Sequence, residues 1–302
     1  MKEDKFDFYS KTSLKSYNLD ASMRYQLSML DSLDAFTRKH CENVANLTCR
    51  ICEYINASNK FTVYCTICAY LHDIGKLFVP PKILQKTSAL TDEEFEIMKS
   101  HTTLGYKMCM KDLQLRPYAA GAIYHHEGLD GSGYPNGLTK KDIPIEGQII
   151  RVADEYDAIV SKRQYKSHID ISETISMLID DATPESGKKY GKISPKILKA
   201  LIKVVIDDIE YEKYCVKEYI EYLEENIKRL REIDKYATKM EEAKKEKDKI
   251  YYENGVNILL EKGETISNYH DVLEEYEHAH SVRCDILNKL DAEIKKIKKM
   301  KV

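Results

Sequence analysis

All seven prolines of this 302-residue chain lie at or before Pro195, and residues 196–302 contain none. Proline fixes φ and removes a backbone donor, so its distribution sets where long uninterrupted helices can run. The chain therefore divides into a punctuated N-terminal part and a C-terminal part free to form long helices. From about Asp207, Val216, Ile220, Leu223, Ile227, Leu230, Ile233 and Met240 recur at three- and four-residue steps among Lys and Glu, which predicts a long helix with a narrow apolar seam. Asn254-Gly255 and Gly263 are expected to interrupt it, and a second periodic stretch runs through Tyr269, Val272, Tyr276, Ala279, Ile286, Leu290, Ile294 and Ile297. Such a stripe serves equally for a hairpin folded on itself and for pairing with a second protomer or another protein, and the spacing does not choose. The closing basic cluster, Lys295 to Lys301, reads as a solvated helix end.

The first two hundred residues carry helical periodicity and no strand-like alternation, so the fold class is all-α. Helices are predicted over 13–36, from about Thr37 with His40, over about 60–74 ending in His72-Asp73, over 115–127, 146–161 and 170–181. Pro80-Pro81 predicts an extended turn, and Thr91 with Glu94 has the spacing of a capping box for the helix that carries His101. Gly131, Gly133 and Pro135 mark a loop.

A formal net charge of −3 offers no basic field for nucleic acid or a membrane surface. Nor does any apolar run reach the length of a membrane span. With a polar, charged segment from Met1 to Ser16, the expected compartment is the cytoplasm, where the eight cysteines would be reduced. Cys49-x2-Cys52 and Cys65-x2-Cys68 resemble a four-thiolate zinc pattern, but both pairs sit among apolar residues at helical spacing rather than on polar turns. They are expected to be small core residues.

The chemistry concentrates elsewhere. The run from His125 to Pro135 packs two imidazoles, two carboxylates and a Gly-rich turn into a short stretch. His72-Asp73 lies upstream, with His40 and His101 further out, a nitrogen and oxygen donor set suited to first-row divalent metals. Adjacent side chains at a helix end diverge by about 100°, so one imidazole can take one metal while the neighbouring carboxylate bridges two. Asp73 is the natural bridge. Asp154 follows an apolar run and puts an acid where a core helix should have none, so a metal partner is expected for it.

In order and spacing, His72-Asp73-Ile-Gly-Lys76, Pro81-Lys-Ile-Leu84-x-Lys86, Leu90-Thr-x-Glu-Glu94, Met98-Lys-x-His101, His125-His126-Glu127 and Asp130-Gly-Ser-Gly133-Tyr134-Pro135-x-Gly-Leu138 resemble the HD-GYP family. The resemblance runs from about residue 33 to 205 and implies an HD-superfamily helical bundle with cyclic di-GMP phosphodiesterase activity. Residues 1–32 would then be a helical extension and 206–302 an extended, coiled-coil-like arm. The family's metal ligands fall on His40, His72, Asp73, His101, His125, His126 and Asp154, and Lys76 would contact the scissile phosphate. Arg163 and Lys166 match an Arg-x-x-Lys that holds the substrate, Asp157 supports the same region, and Asp130, Gly133, Tyr134 and Pro135 would line the substrate mouth.

Two positions depart from the family. Phe36 stands one helical turn before His40, where three-metal members have a glutamate. The resemblance therefore implies two divalent ions, iron or manganese, and a product that stops at linear pGpG rather than continuing to GMP. Ile193-Ser-Pro195 replaces a frequent Phe-Asp-Pro and touches packing rather than chemistry. Two further readings compete with the enzyme: a cyclic-dinucleotide sensor signalling through its arm, and a generic HD-type nucleotide phosphohydrolase. A pure sensor has no chemical need for a complete ligand set, and a generic phosphohydrolase has no use for the Gly-Tyr-Pro loop.

Overall fold

A computed structural model describes residues 25–26, 28–163 and 171–302. These form two compact units, one reaching to Asp207 and including Lys296–Val302, the other Asp208–Lys295. Both are helical. Among the described residues there is no strand, only an isolated bridge between Asp130 and Thr139. No described helix is long and apolar enough to cross a membrane.

Helix α1 (Ala35–Tyr54) begins where the Asp34 side chain accepts hydrogen bonds from the Phe36 and Thr37 N–H groups. That cap breaks the helix predicted over 13–36, because an N-cap residue is extended and cannot continue a helix. Before it, Met29–Ser32 is a short 3-10 turn, and residues 13–24 of the predicted helix lie outside the described residues.

Helix α2 (Asn59–Tyr70) ends earlier than predicted, leaving His72 and Asp73 in a turn followed by a 3-10 segment, Ile74–Phe78. The cause is local. The His72 ring donates from Nδ1 to the Ala69 carbonyl at 2.6 Å, the acceptor that a continuing α-helix would give to the Asp73 N–H. Just beyond, Gly75 passes so close to the next long helix that a Cβ there would lie 1.8 Å from the His101 carbonyl oxygen.

Pro80 is extended and Pro81 opens a one-turn helix, α3 (Pro81–Leu84), at the position where a missing N–H costs nothing. Helix α4 (Asp92–Lys111) starts with the expected capping box, both reciprocal Thr91–Glu94 bonds being present. The helix predicted over 115–127 is shorter. Pro117 sits in a 3-10 turn (Arg116–Tyr118), and α5 (Ala119–Tyr124) stops just before His125-His126. Helices α6 (Ile145–Arg163) and α7 (Ile171–Ala182) follow the expected pattern. Helix α1 packs on α2 and α6, while α4 packs on the 74–78 turn and on α5. Leu33, Cys41, Ile67, Leu71, Ile74, Cys109, Leu115 and Ala119 fill one core under this arrangement. Ile193, the residue that departs from the family pattern, is buried and packs as an ordinary core side chain.

Helix α8 (Pro195–Glu242) carries the seam. In the second unit it is followed by α9 (Glu246–Leu259) and α10 (Tyr269–Lys298). The break falls at residues 243–245 rather than at Asn254-Gly255. Gly255 lies inside α9, where its missing Cβ admits the Tyr236 ring; a Cβ would sit 2.8 Å from that ring. Gly263 does lie in an interruption, between α9 and α10. Within this unit α8 and α10 run antiparallel, joined by Arg231–Glu277 (2.6 Å), Tyr269–Asp234 (3.0 Å) and Lys213–Asp291, while Arg229 of α8 pairs with Glu264 (2.6 Å) in the connection before α10. Leu230, Ile233, Ala237, Val256 and Tyr269 form its core. Within the single chain, the unit therefore folds back as a helical hairpin.

Cys49 and Cys52 on α1, and Cys65 and Cys68 on α2, are fully buried core residues, as expected. Among the described residues the cysteines do not assemble into a group that could share an ion. Replacing Cys65 and Cys68 together with Ala is expected to leave metal content unchanged when ions are counted by mass spectrometry on wild type and variant. A lost ion would make the thiols ligands. Gly75→Ala forces a methyl into the His101 carbonyl and is expected to destabilise the protein by about 1–3 kcal/mol in urea denaturation. An unchanged midpoint would mean that the 74–78 turn is not held against α4.

Candidate metal centre

Seven side chains from separate elements converge in the first unit. His40 comes from the start of α1, His72 and Asp73 from the turn after α2, His101 from the middle of α4, His125 and His126 from the end of α5, and Asp154 from α6. Six of them form two triads, His40-His72-Asp73 and His101-His125-His126, whose candidate ligand atoms lie within 4.8 Å of one another in each.

Two carboxylates span the triads. Asp73 turns Oδ2 toward His72 Nε2 (3.3 Å) and His40 Nε2 (3.6 Å), and Oδ1 toward His101 Nε2 (3.3 Å) and His125 Nε2 (3.9 Å). Asp154 places Oδ1 by His40 Nε2 (3.0 Å) and His72 Nε2 (3.8 Å), and Oδ2 by His126 Nδ1 (3.7 Å). Each acid thus turns one oxygen toward His40 and His72 and the other toward the His101-His125-His126 triad.

Hydrogen bonds behind the rings set their tautomers. Nδ1 of His72, His101 and His125 donates to the carbonyls of Ala69 (2.6 Å), Met98 (2.6 Å) and Gly121 (2.8 Å). A neutral imidazole has one N–H and one lone pair, so each of these rings aims an Nε2 lone pair inward. His101 Nε2 and His125 Nε2 stand 3.1 Å apart, two acceptors facing each other. His72 Nε2 and Asp73 Oδ1 are buried without a hydrogen-bond partner. Orphaned buried acceptors and opposed lone pairs are costly alone and are what a cation would satisfy, so the donor set fits divalent metal.

The electrostatics divide the rings: burial lowers them all, but neighbouring carboxylates outweigh it and raise His40 (Asp154, Asp157) and His72 (Asp73), whereas His101, His125 and His126 are lowered. Burial alone would raise the Asp73 carboxyl, but Lys76, His72 and His101 hold it well below the usual range. Asp154 is likewise raised by burial and brought well below normal by its bond to His40 and by the neighbouring His126 and His72. Burial, reinforced by adjacent rings, pushes His125 and His126 far down, which keeps them in the neutral, ligating form. Lys76 Nζ lies 2.5 Å from Asp73 Oδ2 at the partly open edge of the site.

His40 is oriented differently, by long-range contacts. Its Nδ1 meets Asp157 Oδ2 at 2.7 Å, and Asn43 donates to the other oxygen of Asp157 at 3.0 Å. The resemblance grouped Asp157 with the substrate region; the structure puts its buried carboxylate behind His40, where it positions that ring. Asp130 is also engaged structurally. Its carboxylate accepts from Ser132 Oγ (2.7 Å) and pairs with Lys188 (2.7 Å), and with burial opposed by these partners its pKa falls to about 2.

The Gly-Tyr-Pro loop folds back onto His125-His126-Glu127. Gly133 passes so near the backbone that a Cβ would sit 2.1 Å from the Gly128 nitrogen, and the Tyr134 N–H donates to the His126 carbonyl at 3.1 Å. The Tyr134 ring lies on His126 with centroids 4.7 Å apart, flanked by Phe95 and by the Lys99 ammonium. Pro135 follows through a cis peptide bond. Phe36 is exposed on α1 and offers no ligand atom. Arg163 ends α6, where only its backbone is described, and Lys166 lies outside the described residues.

Sequence reasoning named Glu127 within a motif without giving it a role, and passed over Asn43, Arg151, Glu155 and Lys188. Glu127 is 1% exposed, and its two oxygens accept the N–H groups of Asn136 and Leu138, both at 2.8 Å, clamping the loop. Arg151 reaches His126 Nδ1 (3.3 Å) and Glu155 (3.1 Å). Both charges interrupt the same apolar run as Asp154, so the signal that singled out Asp154 was available for them too.

A helical domain with a buried histidine and aspartate centre of this kind has known counterparts. A family model described as HD domain matches residues 24–185, over half of the chain, and the chain belongs to that family. Its ordered motifs are those of the HD-GYP members. It is 43% identical over 183 residues to a cyclic di-GMP phosphodiesterase of Thermotoga maritima, covering 59% of this chain and 47% of that protein. It is 38% identical over 166 residues to a cyclic di-GMP phosphodiesterase of Borreliella burgdorferi, covering 55% and 42%. A 3'3'-cGAMP-specific phosphodiesterase of Vibrio cholerae is 29% identical over 177 residues, covering 59% and 37%. The chain thus spans about half the length, or less, of the curated relatives it matches.

Glu127→Gln keeps one acceptor and turns an amide N–H toward a backbone donor. Because an unsatisfied buried polar pair costs about 1–3 kcal/mol, the loop should open more often. Amide hydrogen exchange at Asn136 and Leu138 is expected to accelerate at least tenfold; unchanged protection would show that the carboxylate is not the clamp.

Proposed function

We propose that this chain is a metal-dependent phosphodiesterase that hydrolyses cyclic di-GMP to linear pGpG, using two divalent ions, iron or manganese. The observation that carries the reading is the pair of carboxylates, Asp73 and Asp154, each turning one oxygen toward His40 and the other toward the His101-His125-His126 triad. One acid alone could serve a single ion; two that span both triads suit a dinuclear site. The names of the Thermotoga and Borreliella relatives support cyclic di-GMP as the substrate. Phe36 in place of a third-metal ligand supports two ions and a product that is not carried on to GMP.

When bound, the ions would lower the pKa of a water and neutralise phosphoryl charge. The chain's own groups do the rest. His72, His101 and His125 hold their lone pairs inward through their backbone acceptors, and Asp157 fixes His40. Lys76 sits at the edge of the centre, placing a fixed positive charge where a phosphate would accumulate negative charge. Tyr134, held against His126 by the clamped loop, would line the mouth with Gly133 and Pro135, and Arg163 and Lys166 would bind the distal part of the substrate. Asp130 contributes by shaping that loop. The activity resides in residues 33–205, with 206–302 a separate helical arm.

The test is anaerobic turnover of cyclic di-GMP by protein loaded with ferrous iron or manganese, with products separated by chromatography and ions counted on the same sample. Accumulation of pGpG with about two ions per chain is expected. Asp73→Ala should cut turnover by at least a thousandfold and lower metal content, because the shared carboxylate is lost. Wild-type activity in that variant would overturn the dinuclear assignment. Preferential cleavage of 3'3'-cGAMP would move the substrate to the mixed dinucleotide, and tight binding without product would make the chain a sensor.

A further inference from the structure

His126 differs from the other rings of its triad. His101 and His125 each lock Nδ1–H onto a backbone carbonyl, whereas the Nδ1 of His126 faces the Arg151 guanidinium, Nη1 standing 3.3 Å away. A guanidinium only donates and does not lose its proton, so Nδ1 of His126 is the acceptor and its proton sits on Nε2. Neither nitrogen is then ready for a metal. An ion at Nδ1 needs the lone pair that Arg151 occupies, and an ion at Nε2 moves the ring proton to Nδ1, where it points at another N–H. Ligation through His126 and the Arg151 bond therefore exclude each other, whichever nitrogen ligates.

Arg151 has somewhere else to go. Its Nη2 already contacts Glu155 Oε1 at 3.1 Å, one turn along α6, and that pair is incomplete: Arg151 Nε and Glu155 Oε2 are both buried without a partner. A guanidinium that leaves His126 has an unused carboxylate oxygen within its own helix turn. From this geometry we infer that Arg151 competes with metal for His126, making the His101-His125-His126 site the weaker of the two and the second to fill. The inference rests on the metal-dependent reading above, but it concerns the order and strength of loading rather than turnover.

Manganese titrated into metal-stripped full-length protein, with free ion followed by its electron paramagnetic resonance signal, reads this directly. Wild type is expected to show a tight and a weak site. Arg151→Gln should tighten the weak site by about tenfold or more, within the range by which groups behind metal ligands change affinity, and leave the tight site unchanged. Glu155→Gln, which removes the alternative anchor of Arg151, should weaken the second site. His126→Ala should abolish the second site and, with it, any effect of Arg151→Gln. If Arg151→Gln does not fold by circular dichroism, Arg151→Met, which keeps the stem without the charge, is read in the same way. A weak site unchanged within twofold in the folded variant, or lost from it, overturns the role of Arg151. Failure of wild type and variant alike to bind any manganese overturns the metal-dependent reading itself, a different result from the first.

Discussion

Asp73 is 1% exposed and ionised, and most of the first unit is arranged around that fact. A carboxylate so far from water is tolerated only where cations or donors replace its hydration, since the effective penalty otherwise runs to several kcal/mol. Lys76 meets one of its oxygens, four histidine rings stand around the two, and Oδ1 remains without a hydrogen bond. The early end of α2, the 3-10 segment that follows and the contact of Gly75 with the His101 carbonyl all serve to bring this one side chain between elements distant in sequence. Because the acid faces both triads, no single helix can shift without altering its surroundings.

The ligand rings are oriented by two kinds of contact, and these differ in what they demand of the fold. His72, His101 and His125 bond carbonyls three or four residues back along their own chain segments, so their ring directions are set as soon as the local turns form. His40 is held by Asp157 and approached by Asp154, both on α6, so its direction requires α1 and α6 to be packed together. The first kind resists breathing of the bundle; the second makes one ligand report on it. His126 falls in neither class, since its partner is the charged end of a long side chain rather than a carbonyl or a buried carboxylate.

How much of this was legible in the sequence follows the same division. Helix starts with local chemistry were readable: the Thr91–Glu94 box forms as its spacing predicts. So was the convergence of acids and imidazoles, because such residues are unusual wherever a core helix should be apolar, and the structure does bring them together. Boundaries decided by side chains competing for backbone groups were not. The early end of α2 depends on a histidine ring taking a helix acceptor, and the break before α1 on an aspartate that equally well reads as an ordinary helix residue. Asn254-Gly255 misled because glycine has two uses. It breaks helices when exposed, but here it makes room for Tyr236, a contact that exists only after α8 and α9 have packed. Asp157 was legible as important and illegible in role, since only the folded α1–α6 contact tells a ring-positioning acid from one that faces a ligand.

The charge balance of the centre gives a reason for its choice of donors. Neutral imidazoles contribute lone pairs without charge, so nearly all the negative charge comes from Asp73, Asp154 and, behind His40, Asp157, while Lys76 adds a positive charge at the edge. Two divalent ions would exceed what those carboxylates cancel and leave the site with a surplus of positive charge. A thiolate-rich centre of the kind mimicked by the Cys49–Cys68 pattern would be neutral or negative and would gain little from an incoming anion. On the proposed reading, a histidine-rich, carboxylate-poor centre would instead attract a phosphodiester and the further charge that develops as it is attacked. The depressed protonation of His125 and His126 fits the same logic, because a ring that accepted a proton would lose its lone pair and repel a cation.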